Sequence, residues 1–181
     1  MKYKNISISL LINEECLIEI FEAQNLLKKK LGIQFQFNNQ IIPHINIFSG
    51  KVIDENYFLK KIKTINFPKR ILLKSAGLGL FLNKKPLLYI RYQNRKNFSL
   101  LRKNLKNSNL WYSTDRFVKN KNWIPKTTIA HNDFVYEDIS NICDVLSSFK
   151  FENSFYSNTY SIIEYNEKDK EKELLSFSIN N

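Results

Sequence analysis

The sequence contains no apolar run that approaches the roughly 20 residues a helix needs to cross a bilayer. Its first residues lead into a strand-like segment and lack the small-residue cleavage site of a signal peptide. Only two cysteines are present, and both Cys16 and Cys143 fall in stretches of helical apolar periodicity. We therefore expect two buried free thiols, which is consistent with a reducing interior, and a cytoplasmic protein without a membrane segment.

Glycine is also scarce, with four in the chain. Gly77 and Gly79 form a Gly-Leu-Gly step, but a third glycine and a following helix are missing, so this is not a dinucleotide-binding fingerprint. Glycines inside a strand pattern instead predict a β-bulge or a close approach of another group to the backbone.

The chain has what one globular domain needs. It is 181 residues long and 43% hydrophobic, and no linker, repeat array or low-complexity block interrupts it, so we predict a single domain over 1–181.

The net charge of the chain is +11, which favours anionic partners such as RNA or nucleotides. Richness in Lys, Asn and Ile is equally consistent with a biased nucleotide composition, and both explanations stay open.

Hydrophobic periodicity predicts an α+β fold in which strands and helices alternate. Gly50 is expected to end the strand around 41–48, and Arg102 to lie on a solvated, charged side of the third helix. The predicted elements are strands at 5–12, 35–37, 41–48, 70–82, 86–92, 158–165 and 174–179, helices at 14–31, 54–65, 96–106 and about 132–149, a loop at 108–122, and a strand around 123–129.

One short phrase occurs twice. The first copy is Pro43-His44-Ile45-Asn46-Ile47 and the second is Pro125-Lys126-Thr127-Thr128-Ile129. Because alternate side chains of a strand share a face, His44 lies beside Asn46, and Lys126 beside Thr128. Two such strands side by side would bring these four polar groups into one cleft, an arrangement that suits a phosphate.

The paired phrase and the division of the chain into two similar halves resemble the two-histidine phosphoesterase superfamily, which includes the 2′-5′ RNA ligase-like proteins and RNA cyclic phosphodiesterases. That resemblance implies two pseudo-symmetric lobes of antiparallel sheet with flanking helices around a central cleft. It also implies metal-independent chemistry without a cofactor, in which one imidazole accepts a proton, the other donates one, and small hydroxyls hold the phosphate.

Two departures from the family pattern are present. Asn46 stands where the family has Thr or Ser, and an amide can still hydrogen-bond a phosphate oxygen. Lys126 stands where the family has its second histidine, and an unperturbed lysine is a cation at pH 7 and a slow proton donor. His131 is the only other histidine, and simple alternation from Lys126 turns it away from the cleft unless a bulge shifts the register.

Three functions remain open on these grounds. The first is a phosphodiesterase acting on a 2′,3′-cyclic phosphate, a 2′-5′ linkage or a cyclic nucleotide, with His44 and Lys126 as catalytic groups and Asn46 and Thr128 as phosphate contacts. The second is a catalytically weakened relative that binds a nucleotide or RNA end in the same cleft, and the third is a scaffold that uses its basic surface on RNA. No obligate protein partner is inferred. Candidates for stacking on a base are Phe48, Tyr92, Trp111 and Tyr112.

Overall fold

The computed structural model describes residues 3–34, 42–82, 85–93, 95–115, 123–165 and 171–179. Within them the chain forms two antiparallel sheets flanked by helices, as predicted, and the strand segment expected at 35–37 lies outside the described residues. The strands are β1 Lys4–Leu11, β2 His44–Val52, β3 Ile71–Phe81, β4 Leu87–Tyr92, β5 Ser113–Thr114, β6 Lys126–His131, β7 Ser154–Ser157, β8 Thr159–Tyr165 and β9 Glu171–Ser178. The helices are α1 Glu14–Leu31, α2 Glu55–Ile62, α3 Arg95–Lys106 and α4 Ile139–Leu146, the last preceded by a 3₁₀ turn at Tyr136–Asp138.

Each sheet carries one copy of the repeated phrase. The first sheet has the order β5-β2-β1-β8-β9 and the second β6-β4-β3-β7, so the phrase opens β2 in one and β6 in the other. These two strands are not hydrogen-bonded to each other, but they lie in contact where the sheets meet. The polar pairs of the two copies therefore flank one junction between the lobes.

The helices cross over between the two halves of the fold. Helix α1 precedes β2 in the chain but packs against β6, whereas α3 precedes β6 and packs against β2. Helix α1 begins where the Asn13 side chain accepts a hydrogen bond from the Cys16 amide, and it ends at Gly32 in a left-handed conformation. The helix spans 14–31, the range that the sequence predicts.

The glycines within the strands have structural roles. Gly77, at φ 79°, lies where the pairing between β3 and β4 shifts register, and a Cβ on Gly79 would lie 2.4 Å from the Tyr89 ring. The predicted bulge and close approach are both confirmed. The prediction that Gly50 ends its strand is wrong: β2 continues to Val52, and a side chain at Gly50 would collide with Trp111 and the Ser113 carbonyl.

Other predicted elements also need correction. Cys16 is buried as expected but Cys143 is exposed, because the face that α4 turns to the core carries Ile142 and Leu146, and Cys143 lies beside that face. Helix α4 is also shorter than predicted. The short strand β7 was not predicted, and β9 begins at Glu171, earlier than the strand predicted at 174–179. Among the described residues, no helix combines the length and the apolar character that crossing a membrane would require.

Candidate active site

His44 begins β2 at the junction of the two sheets, and its side chain is 9% exposed. Its Nδ1 lies 2.9 Å from the carbonyl oxygen of Ile42, which can only accept, so Nδ1 carries the proton and Nε2 the lone pair. The hydroxyl of Tyr165 lies 3.2 Å from Nε2 and donates to it. Burial, opposed by the Ile42 contact and assisted by the positive charge of Lys126, lowers the pKa of His44 to about 4. The imidazole is therefore neutral at pH 7.

Lys126 begins β6 on the other side of the junction. Its ammonium lies 5.7 Å from the centre of the Phe81 ring and 5.8 Å from that of Tyr89, within cation–π range of both. Burial lowers the pKa of this lysine to about 8. The group is still mostly protonated at neutral pH, yet it releases a proton far more readily than an exposed lysine.

Asn46 and two serines of β1 line the face of the first sheet beside His44. Asn46 is paired with Ser9, and antiparallel partners project to the same side of a sheet. Ser7 and Ser9 are both fully buried, and the Ser7 hydroxyl donates to that of Tyr165 at 3.2 Å. Apolar strand positions alternate with these polar ones, so the sequence contained a signal for Ser7 and Ser9, although neither was among the predicted site residues.

Tyr165 and Glu171 complete this side of the site. The Glu171 carboxylate lies 3.9 Å from Nδ1 of His44. Burial raises the pKa of Tyr165 well above its usual value, and the charge of Glu171 adds to the shift, although hydrogen bonds from Ser7 and Asn46 oppose it. The phenol therefore stays protonated as a donor. Sequence reasoning missed both residues because their proximity to His44 depends on the pairing of β8 with β1 and of β9 with β8.

Thr128 lies half-buried on β6, two residues after Lys126 and opposite Tyr89 of β4. Ile129 then has no partner in the ladder, because the pairing passes from Thr128–Tyr89 to Ala130–Leu88. This bulge shifts the register, so His131 pairs with Leu87 and lies on the same side of the sheet as Tyr89. The bulge that the alternation argument left open is therefore present, and His131 lies on the same side of its sheet as Thr128.

Of the four aromatic residues predicted for base stacking, three are engaged in packing. Phe48 and Tyr92 are 1% and 3% exposed, and Trp111 packs on Phe48 with ring centroids 4.9 Å apart. The rings of Phe48 and Tyr92 lie in the core, which closes them to a nucleobase, whereas Trp111 is half-buried against the core. Tyr112 is 58% exposed, but it lies near the other end of β2 from His44.

The bulge on β6 has a counterpart on β2. Ile47 is unpaired there, since the ladder passes from Asn46–Ser9 to Phe48–Ile8. Each copy of the phrase thus ends in a bulged residue, Ile47 in the first and Ile129 in the second. Among the described residues, no group of three or more His, Cys, Asp or Glu side chains is placed to hold a metal ion.

Comparison with known proteins supports this architecture. No family model and no curated protein sequence matches the chain. Solved structures do: TT0787 of Thermus thermophilus matches with a TM-score of 0.64 at 14% identity over 97% of both chains. Escherichia coli LigT complexed with 3′-AMP matches with a TM-score of 0.63 at 12% identity over 99% of this chain and 100% of LigT. A structure described as a phosphoesterase matches with a TM-score of 0.64 at 14% identity, over 99% of this chain and 100% of the other. The chain therefore has the two-histidine phosphoesterase fold.

Proposed function

We propose that the protein is a metal-independent phosphodiesterase that acts on RNA-type or cyclic nucleotide phosphodiesters, with His44 and Lys126 as its acid–base pair. The observation that carries this proposal is geometric: His44 begins β2, Lys126 begins β6, and these two strands are in contact at the junction of the sheets. The charge of Lys126 is close enough to contribute to the lowered pKa of His44. One is neutral and the other mostly protonated at pH 7. A base and an acid are thereby available at the same pH.

For a 2′,3′-cyclic phosphate the reaction is a hydrolysis. A water molecule replaces the Tyr165 hydroxyl beside Nε2 of His44, gives its proton to that nitrogen and attacks phosphorus. The bond from phosphorus to the 2′ or 3′ oxygen breaks, and the ammonium of Lys126 donates a proton to the departing oxygen. Solvent exchange then returns a proton to Lys126 and removes one from His44, so the enzyme is restored.

Asn46 and Thr128 hold the non-bridging phosphate oxygens in this proposal. Each follows its catalytic residue by two positions and lies on the same face of its strand. Solved structures of LigT contain 3′-AMP in one case and phosphate in another, which supports a nucleotide phosphate as the ligand class. An amide from one strand and a hydroxyl from the other supply the neutral donors that such a ligand needs.

A second candidate is a protein that binds the same ligand without cleaving it. The pKa of His44, about 4, makes the imidazole a weak base, and the Tyr165 hydroxyl already occupies its lone pair. These two features favour binding of the intact ligand over its cleavage. Against them, a bound phosphate places negative charge beside His44, which raises the pKa of the imidazole towards neutrality and strengthens it as a base.

The two candidates are separated by incubation with 2′,3′-cyclic nucleotides, 2′-5′ oligonucleotides and cyclic dinucleotides in the presence of chelator. The phosphodiesterase converts at least one of these classes to product over many turnovers. The binding protein instead returns the ligand intact after denaturation. Absence of both binding and turnover across the panel contradicts both candidates.

We further propose that Tyr112 stacks on a base of a longer RNA, at a distance from the cleaved bond. Its ring is stacked on that of Tyr3 at 4.7 Å, and the ammonium of Lys51 lies 5.6 Å from the Tyr3 ring. Lys51 is close to the end of β2 opposite His44, roughly 23 Å away at about 3.3 Å per residue. A mononucleotide at His44 does not span that distance, whereas a single strand of several nucleotides does.

The stacking proposal predicts a length-dependent effect. Tyr112→Ala lowers the affinity for a single-stranded oligonucleotide ending in a 2′,3′-cyclic phosphate by about tenfold, because stacking on an aromatic ring contributes about 1–3 kcal/mol per base. Affinity for the 2′,3′-cyclic mononucleotide stays unchanged. Tyr57→Ala, at another exposed tyrosine, is the matched control. Equal effects of Tyr112→Ala on both ligands, or none on either, contradict the proposal.

A further inference from the structure

The carbonyl groups of the two bulged residues are both bound by side chains from helices. Arg102 of α3 donates from Nη1 to the carbonyl oxygen of Ile47 at 2.5 Å. Gln24 of α1 donates from Nε2 to the carbonyl oxygen of Ile129 at 3.0 Å. In each case the acceptor is the residue directly after the polar pair of the phrase, so the contact lies next to Asn46 on one strand and Thr128 on the other.

These contacts follow from the crossed arrangement of the helices. Gln24 belongs to the helix that precedes the first phrase, yet it binds the strand of the second, and Arg102 does the reverse. A bulge removes a residue from the ladder, so its carbonyl must find another partner where water is excluded. Here the partner comes from the opposite half of the fold both times, which ties each motif strand to a helix of the other half.

Arg102 has a further contact that joins it to the second phrase. Its guanidinium lies 4.4 Å from the centre of the Trp123 ring, and Trp123 precedes Lys126 by three residues. Phe98, fully buried on the same helix, packs edge-on against that indole at 5.3 Å. One guanidinium therefore contacts the first motif strand through a carbonyl and the approach to the second through an aromatic ring. The sequence predicted that Arg102 lies on a solvated face. The side chain is instead half-buried, and burial lowers its pKa to about 10.

We infer that Arg102 and Gln24 are positioning residues for the proposed reaction: each fixes the bulge that sets the direction of one catalytic strand, and together they keep His44 and Lys126 facing one another. The expected effect of these two residues on turnover rests on the proposed function. Their expected effect on the geometry of His44 does not. A bulge re-aims the side chains around it, so loss of the group that holds the bulge changes the orientation of the neighbouring strand residues.

The test compares Arg102→Met and Gln24→Leu with controls on the same helices. Lys103→Met removes a charge from an exposed position of α3, and Asn25→Leu removes an amide from an exposed position of α1. Both positioning variants are expected to lower kcat by at least about tenfold while changing KM by less, because a small displacement of a catalytic group costs rate more than binding. Arg102→Lys restores part of kcat, since an ammonium can donate to the Ile47 carbonyl. The two controls leave kcat unchanged.

A second measurement keeps the inference independent of turnover. The titration of His44, followed by nuclear magnetic resonance of the imidazole, moves to higher pH in Arg102→Met because the loosened strand admits water around the ring. It stays in place in Lys103→Met. If Arg102→Met and Gln24→Leu lower the free energy of unfolding but leave both the His44 titration and kcat unchanged, the two residues are only structural and the inference is wrong. If no variant and no native protein turns over while the titration still moves, the proposed function fails but the positioning role stands.

Discussion

His44→Gln is expected to lower kcat for the cleaved phosphodiester by about 10²- to 10⁴-fold, the usual contribution of a general acid–base group. Glutamine fills much of the space of the imidazole and keeps a donor towards the Ile42 carbonyl. The loss of activity therefore measures the contribution of the Nε2 lone pair alone. Affinity for the intact ligand changes little, because the phosphate contacts assigned to Asn46 and Thr128 remain. The measurement is single-turnover cleavage at saturating enzyme, with ligand binding determined separately.

His131→Gln is the matched control, since the chain has two histidines. His131 lies on the same side of its sheet as Tyr89, near the other end of β6 from Lys126, and it has no role in the proposed mechanism. The control therefore retains most of the turnover. Equal loss in the two variants contradicts the assignment of His44 as the base.

Lys126→Met is expected to lower kcat/KM by about 10²- to 10³-fold, because it removes both the proton donor and the positive charge opposite the phosphate. Methionine keeps an unbranched side chain only one atom shorter against Phe81 and Tyr89, so packing is disturbed little. It also removes the charge that lowers the pKa of His44. The pKa of His44 should therefore be higher in this variant. Nuclear magnetic resonance of the imidazole detects this change without substrate.

The pH dependence of the native protein follows from the same two groups. His44 acts as a base only when deprotonated, so kcat/KM rises as pH passes about 4. Lys126 acts as an acid only when protonated, so kcat/KM falls as pH passes about 8. The profile of kcat reports the complex instead, and the negative phosphate displaces both limbs to higher pH. A profile of kcat/KM that is still rising above pH 9 contradicts the assignment of Lys126 as the acid.

The fold could be predicted largely from local sequence signals. Helix α1 has an Asn cap, an apolar stripe and a terminal glycine, and helix α3 buries Phe98, Leu101 and Leu105 as its periodicity predicts. The prediction of secondary structure was poorer for the shortest strands. Strand β7 is four residues long, and β5 is two, so neither has room for a pattern that stands out from a loop.

The site could be predicted only in part, because much of it depends on register. His44 and Lys126 stand in a repeated phrase, which the sequence displays directly. Tyr165 is far from His44 in the chain, and only the pairing of β1 with β2 and β8 brings them together. The bulge at Ile129 has no signature in the alternation of residues, yet it decides which way His131 faces. Arg102 was assigned to solvent because periodicity along α3 does not reveal the strand that packs against it.

The most direct test of the central claim is hydrolysis of a 2′,3′-cyclic nucleotide in oxygen-18 water with chelator present, with Lys126→His run in parallel. If His44 and Lys126 form a working acid–base pair, the native protein yields many equivalents of product, each carrying one oxygen-18 atom in its phosphate. Lys126→His then also turns over, with its alkaline limb at lower pH because histidine titrates below lysine. If the native protein returns the bound ligand unlabelled and only Lys126→His produces labelled product, the cleft binds the proposed ligand but the lysine does not support catalysis, and the central claim is wrong.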